Sequence, residues 1–239
     1  MNFPEIARRP ARHTRPAVVV ALLTAAGALL TGGCDSGSAA SDDEKTGRLP
    51  TRAQVSDALL RATDLTGYAR VKPDPKATPP DRSDSPRCLR TLNDLDAGTP
   101  ARGTAVQARI QFSQSQSGPW LRETLRVYRS DDDAKGAYRK AVSALSDCAR
   151  FTVTWSKDGN TGTESVRETA APRLGDRSWA AAIRFEGVAF RTGETKALIQ
   201  SGRQLIVISH AATPDAPAYE RTQEIARRAT ERASRNPKA

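Results

Sequence analysis

Histidine, cysteine, activated serine and paired carboxylates carry most side-chain chemistry, and this chain is poor in the first two. Its 239 residues include two His and three Cys. His210 follows the apolar run Leu205–Ile208, which reads as a buried strand, so it is expected at a strand end or on the surface. No G-x-S-x-G occurs, so there is no strained elbow to expose a nucleophilic Ser beside that His. Asp131, Asp132 and Asp133 stand together. Three consecutive acids at a helix start point in different directions, so they read as caps rather than as metal ligands. No two carboxylates are singled out for glycoside chemistry. Cys88, Cys148 and His210 make no recognisable ligand set for zinc. The reading is non-enzymatic, with no metal and no cofactor.

The cysteines are more informative. Arg8, Arg9, Arg12 and Arg15 form a positive start, and residues 17–33 carry no charge. That is the pattern of a secretory signal peptide. As a helix the apolar part reaches roughly 25 Å, short for a membrane span. It ends Leu30-Thr31-Gly32-Gly33-Cys34. Small residues just before a Cys resemble a bacterial lipobox, in which the sulfur takes a diacylglyceryl group and the chain is cut before it. Thr31 departs from the usual Leu. Two acyl chains hold a protein stably on a bilayer. Residues 35–50 are small, polar and acidic, which suits a flexible tether with an r.m.s. span of roughly 22 Å. The expected organisation is therefore a lipoprotein signal peptide at 1–33, lipidated Cys34 with its tether at 34–50, and one extracytoplasmic domain at 51–239. An odd cysteine count in an exported chain needs an explanation. With Cys34 given to lipid, Cys88 and Cys148 remain to pair in an oxidising compartment. Closing that 60-residue loop is worth roughly 4 kcal/mol in the chain-entropy model.

Ligand binding, unlike catalysis, needs no special spacing. Trp120, Trp155 and Trp179 offer apolar area with a hydrogen-bond donor. Arg122, Arg126 and Arg184 alternate with apolar residues, as one face of a sheet would present them to an anionic ligand. Without the first 33 residues the chain keeps 33 basic and 26 acidic residues, a net charge of +7. The signs are interspersed and no basic run occurs, so the charge serves solubility before it serves an anionic envelope ligand. No helix-turn-helix, zinc spacing or aromatic RNA-binding pattern occurs, which argues against nucleic acid.

These side chains need elements to position them. Thr51 and Gln54 stand in capping-box spacing and open a helix over 51–65, ending before Gly67. Residues 72–86 hold five prolines and read as a loop with no regular structure. Residues 88–95 read as a short helix. Val106, Ala108, Ile110 and Phe112 alternate with Gln107, Arg109 and Gln111, a half-buried strand that pairs with 121–129 as a hairpin. Ser130 caps a long helix whose apolar stripe runs Ala134, Ala137, Tyr138, Ala141, Val142, Leu145, Cys148. Strands follow at 151–156, 176–187, 189–200 and 203–211, and 163–169 pairs back on the first. The run Leu205–Ile208 is apolar at every position, so it belongs in a central strand covered on both sides. A last helix spans 216–235. Short turns between neighbouring strands make the sheet antiparallel. The fold class is α+β: a mainly antiparallel sheet of about 5–7 strands packed against two or three helices.

The leader with Cys34, the helix "VSDALLRATDLTGY", the hairpin and helix ending in "LSDCARF", and "LGDRSW" before a strand together resemble one known group. It is that of actinobacterial lipoproteins related to the extracellular sensor domain of the mycobacterial PknH kinase. The resemblance covers 51–235. It implies a compact α+β domain with a cleft, binding an unidentified ligand and lacking enzymatic activity. That sensor domain has two disulfides, whereas this chain holds cysteines for one. The combined reading is a membrane-anchored extracytoplasmic lipoprotein with a non-enzymatic, sensor-like binding domain. Its partners are the membrane, through the anchor, and an anionic envelope ligand or lipid. A carrier of lipid or glycolipid between membrane and wall, and a scaffold for another envelope protein, are the alternatives. The sequence sets no oligomeric state.

Overall fold

Residues 48–73, 78–157 and 159–235 are described in a computed structural model. Cys34 and most of the expected tether lie outside them. Where the described chain begins it is already packed: Leu49 is half-buried against the core and Pro50 is buried.

The first helix, α1 (Arg52–Asp57), has the capping box expected of Thr51 and Gln54. It is shorter than the sequence suggests. The Leu60 amide, which a longer helix would bond internally, donates instead to Glu123 Oε2 at 2.7 Å. The chain breaks there and resumes as one 3-10 turn, Ala62–Asp64. A two-residue strand β1 (Ala69–Arg70) and another, β2 (Arg82–Ser83), flank the proline-rich stretch expected to be irregular. Helix α2 spans Pro86–Asp96, with Pro86 at its first turn, where a missing N–H costs nothing.

Seven long strands follow: β3 (Val106–Ser113), β4 (Trp120–Val127), β5 (Phe151–Trp155), β6 (Asn160–Thr169), β7 (Arg177–Gly187), β8 (Arg191–Ser201) and β9 (Gln204–Ala212). Helix α3 (Asp131–Ser146) lies between β4 and β5, and α4 (Tyr219–Arg235) closes the described chain. Ser130 Oγ accepts from the Asp133 amide at 3.1 Å, the cap expected for α3. All nine strands form one antiparallel sheet in the order β1-β3-β4-β9-β8-β7-β6-β5-β2. The class is α+β as expected, but the count of 5–7 strands and two or three helices was low. The described residues hold nine strands and four helices. The additional strands are the two short edge pieces. Two residues are too few to show alternation, and they exist only because β3 and β5 offer open edges.

The sheet is covered on both faces, so each long strand is read from two sides. On one face α1 and α4 pack on Ala108, Phe112, Leu121, Leu125, Ala197, Ile206 and Ile208. Thr222, Ile225, Ala226, Ala229 and Ala233 line the inner side of α4 at helical spacing, and the alanines let it sit close. On the other face α2 and α3 pack on Trp179, Ala181, Ile183, Leu198, Leu205 and Val207. The run Leu205–Ile208 thus contributes to both layers, as a central strand must. This double cover also alters β3. Gln107 is buried and Arg109 half-buried, although alternation alone assigned them to solvent. A disulfide joins Cys88, in the first turn of α2, to Cys148, just past α3, with Cα atoms 5.7 Å apart. It ties the two helices of the second face together. Among the described residues no helix is long and apolar enough to cross a membrane.

Candidate functional site

The second face is apolar where α2 and α3 cover it and polar beyond the end of α2. Strand registry assembles the polar part. Arg122 of β4 lies opposite Ser209 of β9, and Ser209 opposite Lys196 of β8. All three share the face of Leu205 and Val207 by alternation. Helix α2 ends above them and delivers Asp96.

Lys196 is fully buried, and its ammonium has three partners. Nζ lies 2.7 Å from Asp96 Oδ1, 2.8 Å from Glu194 Oε1 and 2.6 Å from Ser209 Oγ. Ser209 Oγ donates in turn to Asp96 Oδ1 at 3.0 Å. Arg122 Nη1 stands 3.2 Å from the same oxygen, and Arg109 donates to the Asp96 carbonyl at 2.8 Å. Burial pushes the Asp96 carboxyl up, but Lys196 and Arg122 outweigh it and hold the group below the usual carboxylate range. Burial pulls Lys196 down, and Asp96 and Glu194 more than reverse that. Both therefore stay charged. The side chains of Asp96 and Arg122 remain about a third exposed, at 31% and 33%. The cluster has a buried floor and an open rim.

Glu164 of β6 extends the cluster toward the far edge. Burial, then repulsion from Glu194, pushes its carboxyl up to about 7. Its Oε2 is buried without a hydrogen-bond partner, and so is Arg122 Nε. A buried ion cluster seldom gains stability over an apolar replacement of like volume, because desolvation offsets the attraction. Unpaired atoms at its margin add cost. Such a cluster is therefore weak evidence for stability.

The residues singled out from the sequence separate into several places. Trp120 and Arg122 are neighbours on the polar face. Arg126 is on that face too, but it is buried: Nε donates to Gln107 Oε1 at 3.0 Å and Nη2 to the Asp94 and Leu95 carbonyls. Trp155 stands near the far edge. Its Nε1 donates to the Thr78 carbonyl at 3.0 Å, and its ring meets Phe185 edge-on at 5.4 Å. Phe185 lies across Gly162, where a Cβ would come within 2.3 Å of its ring. Trp179 is in the core between sheet and helices. Arg184 is on the opposite face, where it pairs with Asp215 at 3.7 Å. The structure therefore places two of the six beside the ionic cluster, and puts a sheet between them and Arg184.

Asp96, Lys196, Ser209, Glu194 and Glu164 were missed. One signal was available. Ala197, Leu198 and Ile199 are apolar in succession, the pattern of a strand covered on both sides, and Lys196 stands next to them.

On the first face His210 and Glu123 are buried titratable groups, and Tyr68 lies beside His210. His210 is fully buried, not at the surface: Nε2 meets the Tyr68 hydroxyl at 2.5 Å and Nδ1 meets Thr222 Oγ1 at 2.8 Å. Tyr68 and α4 close over it. Burial, aided by Arg221, pulls it down to about 4, so it is a neutral bridge between sheet and helix. Glu123, also fully buried, accepts from Leu60, and burial pushes it up to about 8. No group of three or more His, Cys, Asp or Glu among the described residues is arranged to hold a metal.

An antiparallel sheet with helices on both faces, a disulfide across one helical layer and a charged site at its end define a class of α+β domain rather than an activity. No family model matches the chain, and no curated protein does. Among solved structures the chain resembles the extracellular domain of PknH from Mycobacterium tuberculosis, at a TM-score of 0.60 and 13% identity. The match covers 79% of this chain and 99% of that one. An Rv0999 ortholog from Mycobacterium smegmatis is also similar, at a TM-score of 0.42 and 13% identity, covering 77% of this chain and 96% of that one. The first likeness establishes the fold expected from the sequence; the second carries no argument.

Proposed function

We propose that this chain is a lipid-anchored extracytoplasmic protein whose folded part is a non-enzymatic, sensor-like domain. Its ligand binds at the open rim of the Lys196 cluster. The observation that carries the reading is the cluster itself. Lys196 is fully buried among Asp96, Glu194 and Ser209, yet Asp96 and Arg122 above it reach solvent. The site's polar atoms are held by four different elements, so a bound molecule would couple α2 to β4, β8 and β9. Such coupling is what a sensing domain requires. The fold likeness to a kinase's extracellular domain supports the same compartment and role, and the leader ending at Cys34 supports the anchor.

Native mass spectrometry of the protein extracted from its own membrane tests the binding. The expected result is a small non-covalent adduct on the wild type that is lost in Arg122→Ala. Bare protein alone, or an adduct indifferent to that substitution, contradicts the reading.

One observation favours the scaffold alternative. The β7–β8 turn exposes Val188 completely and Phe190 by 55%. An apolar tip of this kind suits a protein partner. Substituting both by Ser leaves ligand binding intact on the main reading and abolishes co-purification of a partner on the alternative.

A further inference from the structure

The Lys196 cluster holds an amine against a carboxyl, with a second carboxyl on the amine. Lys196 Nζ lies 2.7 Å from Asp96 Oδ1. At an ordinary hydrogen-bond angle that puts Nζ roughly 3.5 Å from the Asp96 carboxyl carbon, at the edge of the near-attack range of about 3–3.5 Å. The two residues are 100 apart in sequence and meet from regular elements, Asp96 at the end of α2 and Lys196 within β8. The Lys196 side chain is fully buried, so it cannot swing out to solvent. Held geometry of this kind replaces a bimolecular encounter, and that is what a sluggish amine–carboxyl condensation lacks in water.

The neighbours supply the remaining parts. Glu194 Oε1 stands 2.8 Å from Nζ, within reach of its protons. Ser209 Oγ donates to Asp96 Oδ1 at 3.0 Å, and Arg122 Nη1 stands 3.2 Å from the same oxygen. Both converge on the atom where negative charge grows when the carboxyl carbon is attacked. Asp96 Oδ2 receives none of these contacts, and with the side chain 31% exposed solvent reaches the group. The pair rests as ammonium and carboxylate. Burial is nevertheless the largest influence on each, and it favours their neutral forms.

We propose that Lys196 and Asp96 condense into an amide between Nζ and the Asp96 carboxyl carbon, with Glu194 carrying the protons. Nζ passes one proton to Glu194 and gains a free lone pair. The lone pair attacks the carboxyl carbon, and Glu194 delivers that proton to Oδ2. The charge left on Oδ1 meets Ser209 and Arg122. A second proton follows from Nζ through Glu194 to Oδ2, the carbon–Oδ2 bond breaks, and Oδ2 leaves as water. Of the three ammonium protons two depart in the water and one stays on the amide nitrogen. Nothing is oxidised or reduced, and Glu194 ends as the carboxylate it was. The new bond fixes one end of α2 to β8, as the disulfide fixes the other end to α3. It does not depend on a ligand at the rim.

Peptide mapping of the protein purified from its own membrane, reduced, alkylated and cut with trypsin, tests this by tandem mass spectrometry. Cleavage after arginine places Asp96 in residues 91–102 and, where an acylated Lys196 is not cut, Lys196 in 192–203. The expected result is one branched ion joining the two through Nζ, lighter than their sum by one water. In Glu194→Gln the branched ion falls at least tenfold, and 91–102 and 197–203 appear unlinked. That side chain is nearly unchanged in size, and circular dichroism is expected to show the wild-type fold. Unlinked peptides alone in the wild type overturn the proposal. So does a branched ion equally abundant in Glu194→Gln, and so does a lost water found on 91–102 alone, as a cyclic imide at Asp96.

Discussion

Glu123 and His210, both buried on the first face, bear on the pH dependence of the fold in opposite senses. Glu123 has its carboxyl raised from 4.5 to about 8 by burial. Below pH 4.5 folded and unfolded chains are both protonated there, and the group is neutral in stability. As pH rises, the unfolded chain ionises first, and stability falls by about 1.4 kcal/mol per pH unit until the folded pKa is passed. Glu123→Gln removes that loss while keeping an acceptor for the Leu60 amide. The expected outcome is no change in Tm at pH 4 and a clear rise at pH 8, measured by circular dichroism. An equal change at both pH values contradicts the assignment. His210 works the other way. Its pKa is lowered from 6.5 to about 4, so its share of stability is full above 6.5 and is lost as pH falls toward 4. Acid unfolding in this range is expected to shift downward in His210→Asn, which keeps hydrogen bonding without a proton to gain.

At the scale of elements, α2 is the part on which the site depends. It carries Asp96 at one end and Cys88 at the other, and the disulfide fastens it to the end of α3. Replacing Cys88 and Cys148 by Ser is expected to cost up to about 4 kcal/mol in urea unfolding. It should also weaken ligand binding, because Asp96 loses its fixed height over Lys196. Unchanged affinity would show that the bond serves stability alone. The sequence disclosed these elements unevenly. The Ser130 cap, the stripe from Ala134 to Cys148 and the alternation in Val106–Phe112 are local signals, and the structure follows them. The pairing of Cys88 with Cys148 came from cysteine count and compartment. The early end of α1 could not be read, because it depends on Glu123, 63 residues further on. The polar side of β3 was misassigned because alternation reports that one face is apolar and says nothing about what covers the other. The ionic cluster was hidden for the same reason. Its members come from α2, β4, β8, β9 and β6, and only registry between distant strands brings them together.

At the scale of the whole molecule, the two ends of the sheet differ in what they carry. The described chain enters beside the β8–β9 turn, where Arg203 donates to the Arg48 carbonyl. The exposed β7–β8 turn lies at the opposite end of β8, whose 11 residues span roughly 35 Å. Radiolabelled palmitate fed to cells making the protein is expected to enter the wild type and not Cys34→Ser, which should also keep its leader. Label in both, or in neither, removes the anchor from the account.

The claim on which the account turns is that the open rim of the Lys196 cluster is occupied in the cell. An electron-density map of the protein purified from its own membrane, without added ligand, tests it most directly. The account predicts connected density at the rim, beside the partly exposed side chains of Arg122 and Asp96. Isolated water peaks there would contradict it.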